Sequence, residues 1–419
     1  MGIVPALFWL CLAAIGYTYV GYPALLALLA RVRRPARPWP AVEPAVTLLI
    51  AAHNEQEVIA GKLDNSLALD YPRQKLQIVV AADGSDDGTP GIVRSYGGRG
   101  VELSFIPARQ GKMAAINRAM SAARGEIVVF SDANNMYAPD MLRQLVAPFA
   151  DPGVGAVTGA KVILKSDDAL GESEGLYWRY ESFIKRQETR LGSCTGAAGE
   201  VFAIRRNLFR PPPAGVINDD FVLAMQVVRS GYRVVYAPGA RSFERASTSA
   251  QDEIVRRTRI IAGRYQAIAM APRLLPLKRP LAVWQVVSHK FLRPLVPFFM
   301  AGAMMASLLS VAWPAQGSAP GWLILAFPAN WLALALQAVF YGLAGLGRRL
   351  SHRGGLGRLL YLPTFLLDSN LAAVIGLYRF LTGGQSALWQ RVPRRADVYP
   401  LQLGNQSATT ETACEHGEQ

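Results

Sequence analysis

The chain has 419 residues, of which 51% are hydrophobic, and a formal net charge of +14. Its length suits two or three domains. The apolar residues concentrate at the two ends, which argues against an ordinary soluble protein and for a membrane protein with a soluble middle. Arginines cluster beside the apolar segments, so the charge reads as membrane topology, anionic-lipid contact and phosphate binding, with no nucleic acid expected. Cys11, Cys194 and Cys414 lie far apart and offer neither a disulfide framework nor a zinc-site spacing, in keeping with a reducing compartment.

Residues 1–30 form the first element. Ile3 to Ala30 carries no charge and as a helix would span about 40 Å, enough to cross a bilayer. The basic residues Arg31, Arg33, Arg34 and Arg37 follow the apolar run. A cleavable signal peptide would have them in front. The expectation is a retained transmembrane helix whose C-terminal end faces the cytoplasm. Residues 31–44, with Pro35, Pro38, Pro40 and Pro44, read as a stiff basic linker.

From 45 to 245 strand and helix patterns alternate. Val46–Ala52, Leu76–Ala82, Val101–Ile106 and Ile127–Phe130 read as buried strands, and Glu55–Leu67 and Gly111–Ala123 as helices. This alternation predicts an α/β, Rossmann-like domain with a mostly parallel, doubly wound sheet. Three strands end in polar, acidic loops: His53-Asn54-Glu55, Asp83-Gly84-Ser85-Asp86-Asp87 and Ser131-Asp132-Ala133-Asn134. Ligands bind at such carboxyl ends, and three acidic ends along one edge suit a sugar nucleotide. A dehydrogenase would need Gly-x-Gly-x-x-Gly after the first strand; Ala-Ala-His-Asn-Glu stands there instead. Asp132 alone reads either as a helix cap or as a metal-nucleotide ligand.

These loops, with Gly111-Lys112-Met113, Thr195-Gly196-Ala197-Ala198-Gly199-Glu200 and Asn218-Asp219-Asp220-Phe221 in order, resemble the family 2 glycosyltransferases with a GT-A fold. The layout of flanking apolar helices is similar to that of the membrane-embedded cellulose, hyaluronan and poly-N-acetylglucosamine synthases. The resemblance implies that Glu55 and Asp83 contact the base or ribose of the nucleotide. It implies that Asp132 binds Mg²⁺ or Mn²⁺ with the diphosphate. The family pattern there is Asp-x-Asp, and this chain has Asn134 as the second residue. An amide oxygen can ligate such an ion without adding charge.

By the same resemblance Asp220 is the general base that takes the acceptor hydroxyl's proton, and Asp219 orients it or raises its pKa. The competing reading of this pair is an N-cap, since Phe221-Val222-Leu223-Ala224-Met225 begins a helix. Arg256-Arg257-Thr258-Arg259-Ile260 occupies the place of the processive synthases' Gln-x-x-Arg-Trp motif. Arg259 matches its Arg and, with Arg256, is a candidate diphosphate contact. Ile260 stands where the acceptor-stacking Trp is expected. For Arg256 and Arg257 the alternative is a basic helix touching lipid headgroups. Lys112 reads equally as a phosphate contact and as a solvated lysine. Gly196, Ala197, Ala198 and Gly199 would let an acceptor approach closely. Trp178, Tyr180 and Phe183 read as core or interfacial residues, Arg205 and Arg206 as a solvated pair, and His53 equally as a packing residue.

Residues 246–293 are expected to form interfacial helices, with Leu281–Phe291 lying at the membrane surface. Residues 294–381 form the C-terminal membrane region, with spans near Pro294–Trp313 and Gly321–Leu346. A simple fourth crossing by Leu359–Leu381 would put Arg391, Arg394 and Arg395 outside, against the positive-inside rule, and Asp368-Ser369-Asn370 sits mid-segment. That segment is therefore expected to be broken, re-entrant or interfacial, returning Trp389 toward the site. Residues 382–419 read as a polar tail. The expected protein is a multi-pass cell (inner) membrane enzyme with a cytoplasmic catalytic domain. It would be an inverting hexosyltransferase that moves a sugar, with a UDP-sugar favoured, to a growing polysaccharide, with export of the product through its own helices as an added role. Single addition to a lipid-linked acceptor is the alternative, and a non-catalytic scaffold is disfavoured by Asp132, Asp219 and Asp220.

Overall fold

The computed structural model describes residues 2–33, 38–164, 169–245, 250–315, 320–350 and 354–385. One sheet carries eight strands: β1 (Val46–Ala52), β2 (Leu76–Asp83), β3 (Val101–Ile106), β4 (Ile127–Asp132), β5 (Met136–Tyr137), β6 (Val154–Ile163), β7 (Phe202–Arg205) and β8 (Arg233–Glu244). Their order is β3-β2-β1-β4-β7-β6-β8-β5. The pairs β1–β2, β1–β4, β2–β3 and β6–β8 are parallel. β7 runs antiparallel to β4 and β6, and β5 to β8. The mostly parallel α/β sheet expected from the sequence is present, with one antiparallel strand joining its two parallel groups.

The central strands β1, β2 and β4 are mainly apolar because helices cover both faces of the sheet. Leu48, Ile50, Val80 and Val129 pack on one face against Ile59 and Leu63 of the helix Ile59–Leu67. Leu49, Ala51, Val79 and Val128 pack on the other face against Ala115, Ile116 and Ala119 of the helix Lys112–Met120, and against Val222 and Met225 of the helix Asp219–Arg229. Gly125 allows β4 to enter beside β1: a Cβ there would lie 2.3 Å from the Thr47 nitrogen.

The parallel register places Ala51 beside Asp132 and Ala52 beside Ala82. The three acidic loops therefore leave the sheet along one edge. The turn after β2 uses Gly84 at φ +57°, where a Cβ would meet the Arg109 backbone at 2.6 Å.

Among the described residues four helices are long and apolar enough to cross a membrane: Ile3–Arg31, Pro280–Ala312, Ala329–Arg349 and Leu362–Leu381. Two expectations change here. The segment 281–291 does not stand apart at the surface: it runs into the helix that follows, with Ala282, Val286 and Phe291 packed into the second core cluster and His289 buried. The last segment is not broken; Gly354–Leu381 is one α-helix with Pro363 inside it. Its polar centre is partnered: Arg348 Nε donates to Asp368 at 3.1 Å, Arg257 to Ser369 Oγ at 2.6 Å, and Asn370 to the Tyr19 hydroxyl at 3.3 Å. Polar side chains inside an apolar helix are tolerated where protein partners receive them. Trp389, Arg391, Arg394 and Arg395 lie outside the described residues. The helix docks on the α/β domain's C-terminal helix Ala250–Ala269, where a Cβ on Gly376 would lie 3.1 Å from the Thr258 carbonyl and the Ala262 nitrogen.

Candidate active site

The loop after β1 is tied to the loop after β2. His53 Nδ1 lies 2.6 Å from the Asp83 carbonyl, Asn54 and Asp86 exchange two hydrogen bonds, and the Glu55 amide donates to Thr89 Oγ1 at 2.8 Å. His53 thus links the first two loops through the Asp83 backbone. The Asp83 carboxylate accepts the Gln110 and Gly111 amides at 2.8 and 2.7 Å. It holds the start of the Lys112 helix, and Glu55 and Asp83 are both buried in the same edge.

Lys112 is where the carboxylates converge. Its ammonium donates to Asp132 Oδ1 at 2.6 Å. Burial alone lowers its pKa, but the charges of Asp132, Asp219 and Asp220 outweigh burial and raise it. The structure therefore brings together Lys112, Asp132 and the Asp219–Asp220 pair, which come from separate parts of the chain. Behind Asp132, Asn135 is fixed by four partners: Lys62, Ser131, Ser242 and the Glu200 carbonyl. Lys62 is fully buried and lies 3.7 Å over the Tyr137 ring. Burial drives its pKa well below the ordinary lysine value, against the pull of Asp132 and Glu200.

Asp219 and Asp220 open the helix Asp219–Arg229, where carboxylates favour the helix N-terminus. Asp220 Oδ1 accepts the Phe221 amide at 2.7 Å. Burial first, and the like charge of Asp219 second, push its carboxyl up to about 6. The expected acceptor loop faces it: a Cβ on Gly199 would lie 3.7 Å from Asp220 Oδ2. Glu200, next in that loop, pairs with Lys161 at 3.3 Å. Burial raises its pKa, but Lys161, its own backbone amide and Lys185 bring it down to about 2.

The helix Ala250–Ala269 separates its arginines. Arg256 donates to Glu174 at 2.6 Å and to Glu253 at 2.9 Å. Its guanidinium is engaged by carboxylates, a structural use that neither the diphosphate nor the lipid-headgroup reading anticipates. Arg257 pairs with Glu253 and lies 4.2 Å over the Phe365 ring of the last membrane helix. Arg259 lies one turn before Gly263, the residue packed against Asn218, and so on the face toward the Asp219–Asp220 turn. Its buried Nε has no hydrogen-bond partner among the described residues.

A cavity of about 630 Å³ begins at Asp220, Ala198 and Gly199 and ends among the membrane helices, at Tyr19, Leu362, Phe365 and Ala373. Trp178 and Tyr180 line it, and Tyr180 also packs against the buried cluster of Tyr22, Leu26 and Ile184. Phe183 is exposed. Arg205 is not a solvated charge: it donates to the carbonyls of Val154, Phe149 and Asp151.

Beneath the acceptor loop lies a cluster that sequence reasoning missed. Glu188 accepts hydrogen bonds from the Tyr22 hydroxyl at 2.6 Å, the Thr195 amide at 2.7 Å and Thr195 Oγ1 at 3.0 Å, and it lies 2.9 Å from His289 Nδ1. Glu181 pairs with Arg293 and Lys290. Burial raises the pKa of Glu181, but Arg293, Lys290 and His289 hold it well below the usual carboxylate value. A sequence signal exists. Glu174, Trp178, Glu181, Lys185 and Glu188 recur at alternating spacings of four and three, the period of one buried helix face.

A divalent ion would find hard oxygen donors at Asp132 and Asn134. Among the described residues no three His, Cys, Asp or Glu side chains gather as a metal cage. One carboxylate supplemented by substrate phosphates is a usual provision for Mg²⁺, so the residues present fit an ion that arrives with a diphosphate.

The chain is 30% identical over 194 residues to a beta-monoglucosyldiacylglycerol synthase of Trichormus variabilis, covering 45% of this chain and 42% of that protein. It is 28% identical over 200 residues to a poly-beta-1,6-N-acetyl-D-glucosamine synthase of Staphylococcus aureus, covering 46% and 48%. The matches thus span less than half the length of these relatives. Among solved structures, the mannosyltransferase PcManGT from Pyrobaculum calidifontis, in complex with GDP-Man and Mn²⁺, superposes with a TM-score of 0.70 and 25% identity over 90% of this chain and 99% of that one. The sheet with its acidic edge and flanking membrane-length helices is therefore a GT-A-like fold. The profile described as "Glycosyltransferase like family 2" matches residues 44–263, more than half of the chain, and the protein belongs to that family.

Proposed function

We propose that this protein is an inverting glycosyltransferase that moves a sugar from a nucleotide-diphosphate donor to a hydroxyl of a membrane-lipid acceptor. The observation that carries this reading is the cavity running from Asp220 to the membrane helices. An acceptor entering from the bilayer meets a carboxylate at its inner end. Asp220 takes the proton of the attacking hydroxyl as oxygen bonds to sugar C1. The bond from C1 to the diphosphate breaks and its electron pair stays on the leaving oxygen. Lys112 and Arg259 are the cations that would receive that charge. Asp132 and Asn134 would hold Mg²⁺ or Mn²⁺, which supplies further neutralisation of the diphosphate when bound. Arg256, held by Glu174 and Glu253, supports the wall of the cavity. The basic residues after the first and third membrane helices, Arg31, Arg33, Arg348 and Arg349, favour a cytoplasmic catalytic domain at the cell membrane.

Elongation of a polysaccharide is the second reading. Trp178 and Tyr180 in the cavity wall favour it, since aromatic faces suit sugar rings. Purified full-length protein supplied with UDP-, GDP- and dTDP-sugars and Mg²⁺ or Mn²⁺ tests both. Release of nucleoside diphosphate with one sugar on an extractable lipid supports the first reading, and long products support the second. No release with any donor refutes both.

A further inference from the structure

Positive charge on the cavity wall is met by carboxylates in some places and not in others. Seven cationic side chains and four carboxylates line it, and Glu174 and Glu244 behind the wall pair with Arg256 and Lys161. Lys161, Arg256, Arg257 and Arg293 are ion-paired. Lys185 and Arg264 have no carboxylate within ion-pair distance among the described residues. Lys290 lies 3.6 Å from Glu181, a carboxylate already shared with Arg293 and His289. Positive charge without a carboxylate of its own, set at the edge of a largely apolar space, suits an anion.

The position of that excess is defined by the acceptor loop. A Cβ on Gly196 would lie 3.2 Å from Lys185 Cε and 3.2 Å from Lys290 Nζ. Gly199, three residues on, abuts Asp220. Three residues span at most about 10 Å. An anion at Lys185 and Lys290 and a hydroxyl at Asp220 are therefore one small headgroup apart. On the membrane side the cavity is walled by Leu362, Phe365 and Ala373 of the last helix, which suits an acyl or prenyl chain.

We infer that the acceptor is an anionic membrane lipid whose nucleophilic hydroxyl sits on a headgroup joined through a phosphate, with the phosphate held by Lys185, Lys290 and Arg264. This rests on the proposed transferase function and narrows its acceptor. In the step, the headgroup O–H proton passes to Asp220, its oxygen bonds to sugar C1, and the diphosphate leaves with the electron pair. A neutral diacylglycerol or a free glycan would leave Lys185, which lies over the Trp178 and Tyr236 rings, and Arg264 without an anionic partner, and Lys290 with only its share of Glu181.

The test uses full-length protein in phosphatidylcholine vesicles with whichever donor gives nucleoside diphosphate release. Phosphatidylglycerol and phosphatidylinositol are the anionic acceptors, diacylglycerol the neutral one, and glycerol 3-phosphate the soluble phosphate source. The expected result is labelled sugar on an anionic lipid at tenfold or more the rate on diacylglycerol, with no transfer to glycerol 3-phosphate. Lys185→Gln and Arg264→Gln should each raise KM for the anionic lipid about tenfold while lowering kcat less, and Lys185→Arg should restore KM. Equal or faster transfer to diacylglycerol overturns the inference, as does transfer to neither anionic lipid while donor is still cleaved; both outcomes leave the transferase function standing. No cleavage of any donor removes the transferase function and this inference together.

Discussion

Replacing Asp220 with Asn separates its chemical role from its structural one. The Asp220 carboxyl sits at about 6 instead of 3.8, a difference equivalent to about 3 kcal/mol. The sign follows from linkage: a carboxylate raised in the folded state costs nothing below the unfolded value and destabilises increasingly as pH rises to 6. Water in the cavity and the weakening of the Phe221 hydrogen bond from a charged to a neutral acceptor reduce what Asn recovers, so Asp220→Asn should gain about 1–2 kcal/mol of stability at pH 7.5. That gain should fade toward pH 4. Transfer should fall about 10²- to 10⁴-fold, the usual contribution of a general base. The wild-type rate should rise with pH through an apparent pKa near 6, and the residual activity of the variant should lack that limb. Nucleotide binding, read by calorimetry, should persist. Wild-type turnover in Asp220→Asn, or an unchanged acid limb, would refute the assignment of Asp220 as base.

Asn134→Asp should lower the half-saturating Mn²⁺ concentration about tenfold by adding a charged oxygen ligand; an unchanged metal titration of donor cleavage would show that residue 134 does not touch the ion. Arg256→Gln would leave Glu174 and Glu253 short of a partner and should cost about 3–5 kcal/mol in denaturant or thermal unfolding. If that variant keeps wild-type stability and loses nucleotide affinity instead, Arg256 binds the diphosphate. Gly125→Ala would drive a methyl into the Thr47 backbone and should destabilise by about 1–3 kcal/mol or more, visible as a lowered melting temperature with donor affinity unchanged in the folded fraction.

The parallel half of the sheet was legible because β1, β2 and β4 are mainly apolar runs followed by polar, acidic loops. The edge carrying Asp83 and Asp132 followed from that pattern. β5 through β8 were not individually legible: β5 has two residues, β7 has four, and β8 is interrupted by Pro238 and Gly239 and carries Arg233, Arg241 and Glu244 among its apolar residues. The use of Arg256 and Arg205 was not legible either, because a guanidinium's partner lies far along the chain: Glu174 for one and the carbonyls near Asp151 for the other. The broken-helix expectation for the last membrane segment failed for a similar reason. Asp368, Ser369 and Asn370 look costly in lipid until Arg348, Arg257 and Tyr19 are seen to meet them.

The hydrogen bond from Tyr22 to Glu188 reaches beyond local packing. Tyr22 belongs to the first membrane helix, and the same carboxylate grips Thr195 at the root of the acceptor loop. The helix is therefore a foundation for the catalytic floor as well as a tether. A fragment beginning at residue 45 would remove a donor from a buried carboxylate and open the wall behind the loop. Such a fragment should still recognise its nucleotide, whose edge of the sheet lies elsewhere, but should handle acceptors poorly. For the same reason, a shift of the first helix within a bilayer of different thickness would be felt at the loop that positions the attacking hydroxyl.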